Sequence, residues 1–167
     1  MTEHLAPVDP APAAEAAPSA VPWPPLLLVA SVASAFVLQS LLPIAWPGLD
    51  DLPGRLIGYG LGAAGLVLAG WAIATMAKER ANVLPHRAAS TLVTSGPFRT
   101  WRHPIYMADV LILLGLAEVT KNVWFVPVAG AFAIAVFKLA IEPEERHLEA
   151  KFGAVYQEWK QRTRRWF

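Results

Sequence analysis

The residues able to do chemistry collect in two polar blocks. The first runs from Leu92 to Tyr106 and carries Arg99, Arg102, His103 and Tyr106 after a Gly96-Pro97 turn signal. The second runs from Glu142 to Phe167 and holds Glu144, Glu145, Tyr156 and a terminal basic cluster. His103 and Tyr106 stand at the start of a helix with Pro104 in its first turn, where proline is tolerated. Their spacing puts both side chains on one face, beside backbone N–H groups that favour anions. Two carboxylates facing such a pair suit a cationic or hydroxyl-rich cofactor, since ribose hydroxyls donate well to a carboxylate. Taken singly, the same residues also read as interfacial aromatics and an ordinary acidic first turn.

The elements that position these blocks are apolar. Of the 167 residues, 55% are hydrophobic and only 16% charged. Soluble domains carry about 25% charged residues, and a single small domain this apolar could not hide its surface from water. The composition points to an all-α membrane protein embedded in a bilayer. A net charge of +1 gives no field that would attract nucleic acid. The lack of cysteine excludes disulfides, thiolate metal sites and a cysteine nucleophile, and no metal is expected.

Residues 1–25 are rich in Ala and Pro and read as a disordered tail, because dense proline cannot continue a helix. A single transmembrane domain follows over residues 26–167. Four spans are expected at about 26–42, 56–77, 105–118 and 123–141, measured against the ~20 residues that cross a bilayer. Trp23 and Trp46 flank the first as interfacial anchors. Gly58, Gly62 and Gly65 share one face of the second, a spacing that lets helix backbones approach closely in lipid. The last two spans form a tight hairpin through Glu118 to Asn122.

Lysine and arginine gather in the 78–103 loop and in the C-terminal segment, while the other loops are neutral or acidic. By the positive-inside rule both basic segments, and with four spans both termini, are cytoplasmic. The short chain without an organelle signal favours a bacterial inner membrane. Leu148, Phe152, Val155, Tyr156 and Trp159 follow helical steps, so the segment ends in an amphipathic helix. Asp109 and Lys138 lie inside the apolar spans, where an unpaired charge costs a few kcal/mol, and are expected to pair with each other.

Leu92-Val-Thr-Ser-Gly-Pro-Phe-Arg99, Arg102-His-Pro-Ile-Tyr106, Glu144-Glu-Arg-His-Leu148, Phe152-Gly-Ala-Val-Tyr156 and Arg164-Arg-Trp166 together resemble the isoprenylcysteine carboxyl methyltransferases. The related phospholipid methyltransferases share much of the pattern, which covers about residues 82–166. The resemblance implies an integral membrane methyltransferase using S-adenosylmethionine at a cytosolic site closed by the C-terminal helix. It places the cofactor against Ser90, Thr91, Leu92, Val93, Phe98, His103, Pro104, Ile105, Tyr106 and Glu144. Substrate contacts are expected from Arg102, Lys138 and Glu145, and the acceptor is a lipid or prenylated molecule entering from the bilayer. Members that methylate a prenylated cysteine carry an arginine where this chain has Ala140, so a carboxylate and a lipid amine both stay open as acceptors. An NADPH-dependent sterol-type membrane reductase, with an Arg-His-Pro-Asn-Tyr motif, and a non-catalytic protein keeping the fold are the alternatives.

Overall fold

The computed structural model describes residues 21–47, 52–81 and 91–166. The stretches 1–20 and 82–90, which include most of the expected tail and the cofactor candidate Ser90, lie outside them. Five α-helices account for most of the described chain: α1 (Trp23–Leu41), α2 (Leu52–Lys78), α3 (Pro104–Thr120), α4 (Phe125–Val136) and α5 (Glu142–Arg162). A 3₁₀ turn at Gly96–Arg99 precedes α3, and a π-helical turn at Phe137–Ile141 joins α4 to α5 without a break. There is no strand among the described residues; a lone parallel bridge links Trp101 to Arg164.

Three helical runs are long and apolar enough to cross a membrane: Trp23–Leu41, Leu52–Lys78 and the run that starts at Phe125. α3 has 17 residues, about 26 Å at the usual rise, which suffices at the short end of the range. The fold is thus the expected multi-pass helical membrane protein. α1 and α2 each begin three or four residues earlier than the hydropathy pattern suggests. Pro24, Pro25 and Pro53 occupy their first turns, where the missing N–H costs no hydrogen bond.

α3 runs antiparallel to both α2 and α4. The α2 contact is set by small residues: a Cβ added at Gly58 would lie 2.3 Å from the Glu118 Cβ, and one at Gly115 would lie 2.5 Å from the Gly62 Cα. In lipid such close approach, rather than hydrophobic burial, drives helix association. The core proper lies between α3 and α4, where Leu113, Phe125, Phe132, Val136 and Ile141 are almost fully buried. α1 covers α4, with Phe36 edge-on to Phe125 at 5.5 Å. The outward faces of α1 and α2 expose Val29, Phe36, Leu56, Ile57, Val67 and Trp71, as lipid-facing surfaces do.

This topology decides the position of the polar blocks. The start of α3 and the end of the α4 run lie at one end of the bundle, because Tyr106 bonds Glu144. The α3–α4 turn lies at the other, with the end of α1, because Asn122 Nδ2 donates to the Ala35 carbonyl at 2.9 Å and Trp124 Nε1 to Leu42 at 3.0 Å.

The C-terminal helix is not a separate surface element. It continues the last span and breaks at Gly153, whose φ of +50° and ψ of −123° suit glycine alone. The break turns residues 154–162 back over the start of α3, where Trp159 Nε1 donates to the Phe98 carbonyl at 2.9 Å.

The expected Asp109–Lys138 pair does not form. Lys138 is exposed and its Nζ bonds Glu142 at 2.8 Å, while Asp109 makes no ion pair among the described residues. Lys138 sits in the π-helical turn. The pairing was expected from both charges lying inside apolar spans, but Lys138 turns outward, where Glu142 four residues on answers it.

Candidate functional site

Glu145 is the structural hub where the two blocks meet. It is 5% exposed, and its Oε1 accepts hydrogen bonds from Arg102 Nε at 3.2 Å and Arg165 Nε at 2.9 Å. Arg165 Nη2 reaches its Oε2, and His103 Nε2 lies 3.3 Å from Oε1. Burial opposes the charge of Glu145, but the bonds from His103 and Arg165 outweigh it and hold the carboxyl well below its ordinary range.

The same arginine ties down the end of the chain. Arg102 Nη1 donates to the carbonyls of Lys160 at 3.0 Å and Thr163 at 2.6 Å. Backbone bonds from Arg102 N to the Arg164 carbonyl and from Arg164 N to the Thr100 carbonyl, both 2.8 Å, complete the dock. Arg165 also lies 5.2 Å from the centre of the Phe137 ring, within cation–π range.

Glu144 is built differently. Its side chain is 35% exposed, and its Oε2 accepts from Tyr106 Oη at 3.1 Å. The His103 Nδ1 lies 3.8 Å from that oxygen. The His103 and Tyr106 rings stack at 5.7 Å with 13° between their planes, as two side chains on one helix face should. His103 is itself the residue preceding α3, with Pro104 in the first turn. A half-exposed carboxylate therefore stands over an imidazole, a phenol and a helix N-terminus.

The apolar side of this corner comes from the first block. Val93 and Phe98 are buried against Ala72 of α2, with Ile105 and Trp159 beside them. Gly96, at φ +56°, makes the turn, and a Cβ there would lie 2.5 Å from Thr75 Oγ1. Thr91 is exposed, Leu92 half-buried and Pro104 buried. The structure thus gathers Leu92, Val93, Phe98, His103, Pro104, Ile105, Tyr106, Glu144, Glu145 and Arg102 at one end of the bundle. Lys138, on the outside of the π-helical turn, stands apart from Glu145.

Three residues that hold this corner together were not read as site residues from the sequence: Arg165, Thr163 and Trp159, the last counted only in the apolar stripe. The Arg-Arg-Trp ending hinted at the first, but only the fold shows which arginine turns inward. Tyr156 is fully enclosed, and its hydroxyl has no hydrogen-bond partner among the described residues. Burial and the neighbouring Glu145 push that hydroxyl well above its ordinary value.

A family model described as phospholipid methyltransferase matches residues 54–155, more than half of the chain. The chain is also similar to the cobalt-zinc-cadmium resistance protein CzcN of Cupriavidus metallidurans, with 38% identity over 82 residues, 48% of this chain and 37% of that protein. The nickel-cobalt-cadmium resistance protein NccN of Alcaligenes xylosoxydans xylosoxydans is 28% identical over 81 residues, 48% of this chain and 38% of that protein. The matched stretch therefore spans well under half of either relative. No solved structure matches significantly. With its helical bundle, its docked C-terminal segment and this match, the chain belongs to the phospholipid methyltransferase family.

Proposed function

We propose that the protein transfers a methyl group from S-adenosylmethionine to a lipid-like acceptor, a carboxylate or an amine, at the cytoplasmic membrane face. The observation that carries this reading is Glu144. It is the carboxylate at the meeting of the two blocks that keeps one oxygen without a hydrogen-bond partner among the described residues while His103 and Tyr106 fix the other. Bound there, S-adenosylmethionine would supply a methyl group on a positively charged sulfur.

The donor set fits such a group. The free oxygen of Glu144 suits ribose hydroxyls, Leu92, Val93 and Phe98 offer an apolar wall to a purine, and the α3 N-terminus at His103, Pro104, Ile105 and Tyr106 favours negative charge. Thr91, the first described residue of this block, extends the same edge. In this reading Glu145 and Arg102 position rather than bind, since their polar atoms are engaged with each other, with Arg165 and with the chain end. Lys138 keeps its exposed place near the lipid boundary and can meet an anionic headgroup.

Methyl transfer is an in-line displacement, and holding the two reactants in line supplies about 7–11 kcal/mol in favourable cases. The chain's task is then to orient the donor, admit the acceptor from the bilayer and exclude water. The basic residues of the site end support a cytoplasmic position for it under the positive-inside rule.

Calorimetry on the solubilised protein tests this directly. Wild type should bind S-adenosylmethionine, and Glu144→Gln should weaken it at least tenfold without changing the melting temperature. Equal affinity in the two proteins would overturn the assignment. Incubating membranes with radiolabelled S-adenosylmethionine then identifies the labelled lipid.

A further inference from the structure

One charge at this end of the bundle is answered by no other. Asp109 stands five residues into α3, about 8 Å from the helix start along the span. It is half-buried and makes no hydrogen bond or ion pair among the described residues. Neither of its carboxylate oxygens is an enclosed atom, so both are open at the surface of α3. An ionised side chain at such a depth is costly and marks a functional position whose partner is to be named.

The surroundings say what that partner is. α3 meets α2 through Ala108, Ile112 and Gly115 and packs into the core through Tyr106, Leu113 and Ala117. At about 100° per residue, Asp109 falls between these two faces. α2 and α4 make little contact with each other, which leaves a seam along α3. Away from the site, half-buried Ile112 and Leu116 continue the seam as an apolar track. Toward the site stands Tyr106, three residues back on the same helix face. The Asp109 charge acts on its hydroxyl, the one that bonds Glu144. The cations of this corner are engaged elsewhere: Arg102 and Arg165 with Glu145, Lys138 with Glu142. Ala140, buried in the cluster that holds Tyr106, offers none. The unanswered charge on the bilayer side is therefore negative.

We propose that Asp109 determines the acceptor, holding the ammonium head of a long-chain amine whose chain lies along Ile112 and Leu116. The proposal rests on the methyl-transfer reading and decides between the two acceptors that reading leaves open. An acceptor carboxylate would meet a like charge with no cation to hold it, whereas an ammonium gains a charge-assisted bond. The open oxygen of Glu144 stays with the cofactor, and Asp109, one turn deeper, meets the molecule that arrives from lipid. Before attack the ammonium releases one proton to water. The lone pair so bared forms the N–C bond, while the C–S electron pair stays on sulfur.

The test uses the full chain in phosphatidylcholine vesicles, with Asp109→Asn and the charge-keeping Asp109→Glu. With radiolabelled S-adenosylmethionine, wild type should methylate dodecylamine in preference to the carboxylate of N-acetyl-S-farnesylcysteine. Asp109→Asn should raise KM for dodecylamine about tenfold or more, as loss of a charged partner does. Its affinity for S-adenosylmethionine should stay within about twofold of wild type, and Asp109→Glu should recover part of the amine preference. Independently of turnover, dodecyltrimethylammonium should raise the melting temperature of wild type and dodecanoate should not. Asp109→Asn should lose that rise. An unchanged KM for dodecylamine in Asp109→Asn, or a wild-type preference for the carboxylate, overturns the proposal. So does a cofactor affinity that falls as far as KM rises, which would give Asp109 to the sulfonium instead. If wild type binds no S-adenosylmethionine, the methyl-transfer reading fails, and an alkylammonium shift equal in wild type and Asp109→Asn separately sinks the role of Asp109.

Discussion

Glu118 and Glu145 are both carboxylates withdrawn from water at helix ends, 3% and 5% exposed, at opposite ends of one bundle. Glu118 is answered locally: Lys121, three residues on, bonds it where the chain turns left-handed to close α3. Its methylenes rest on Gly58 of α2. Glu145 is answered from far away. Its partners Arg102, His103 and Arg165 stand 43, 42 and 20 residues along the chain. The first arrangement can form as soon as the α3–α4 hairpin does. The second exists only once the C-terminal segment has docked on the start of α3. The far end is therefore part of how the bundle closes, and the near end is a site assembled on the finished bundle.

The sharpest way to break this contrast is Glu145→Ala. It leaves Arg102, His103 and Arg165 facing one another without their shared anion, and losing one member of a buried charge network costs about 3–5 kcal/mol. The loss should appear as protease sensitivity of residues 154–166 before the bundle itself melts. The pH dependence has a definite sign. The Glu145 carboxyl is held below its ordinary value of 4.5, so its stabilisation is complete above that pH and is lost as pH falls below it. Thermal melts of wild type between pH 6 and 3 should show this decline, and Glu145→Ala should lack that component.

Next in size is the far end. Gly58→Val puts a branched carbon into the Glu118 Cβ, and no rotamer relieves a clash at Cβ itself. Overpacking of this kind costs about 1–3 kcal/mol. Gly60→Ala is the control, since nothing lies within 4 Å of a Cβ there. It should be neutral or stabilising, by up to about 1 kcal/mol. Melting of the two variants in detergent separates a contact of α2 with α3 from a general need for glycine.

The same contrast explains what could be read in advance. The spans and the small-residue face of α2 follow from hydropathy and helical period, which are local properties. The His103–Tyr106 face follows from a spacing of three. The meeting of Glu144 with that face follows from counting spans. What the chain did not disclose is long-range or breaks the period. Arg164 and Arg165 are equally basic in sequence, yet the parallel bridge at Trp101 sends one outward and the other to Glu145. Lys138, in the π-helical turn, faces outward and pairs with Glu142 rather than with its expected partner Asp109. The helix break at Gly153 hid within an amphipathic stripe whose later members, Tyr156 and Trp159, belong to the site and not to a membrane-facing stripe.

Smaller effects refine the near end. Gly153→Ala forces an alanine into φ +50°, with open space around its Cβ. The cost is then backbone strain alone, about 1–2 kcal/mol at the low end for such conformations. It should loosen residues 154–162 in hydrogen exchange and leave α1 to α4 untouched. The smallest stability change is expected for Glu144→Gln. The side chain is 35% exposed and the amide can still accept from Tyr106, so stability should stay within about 0.5 kcal/mol. If Glu144→Gln destabilises as Glu145→Ala does, the two neighbours share one structural task, and the division between a positioning carboxylate and a ligand-facing one is lost. If it leaves the melt unchanged while cofactor affinity collapses, that division holds, and the site at this end is separable from the fold that carries it.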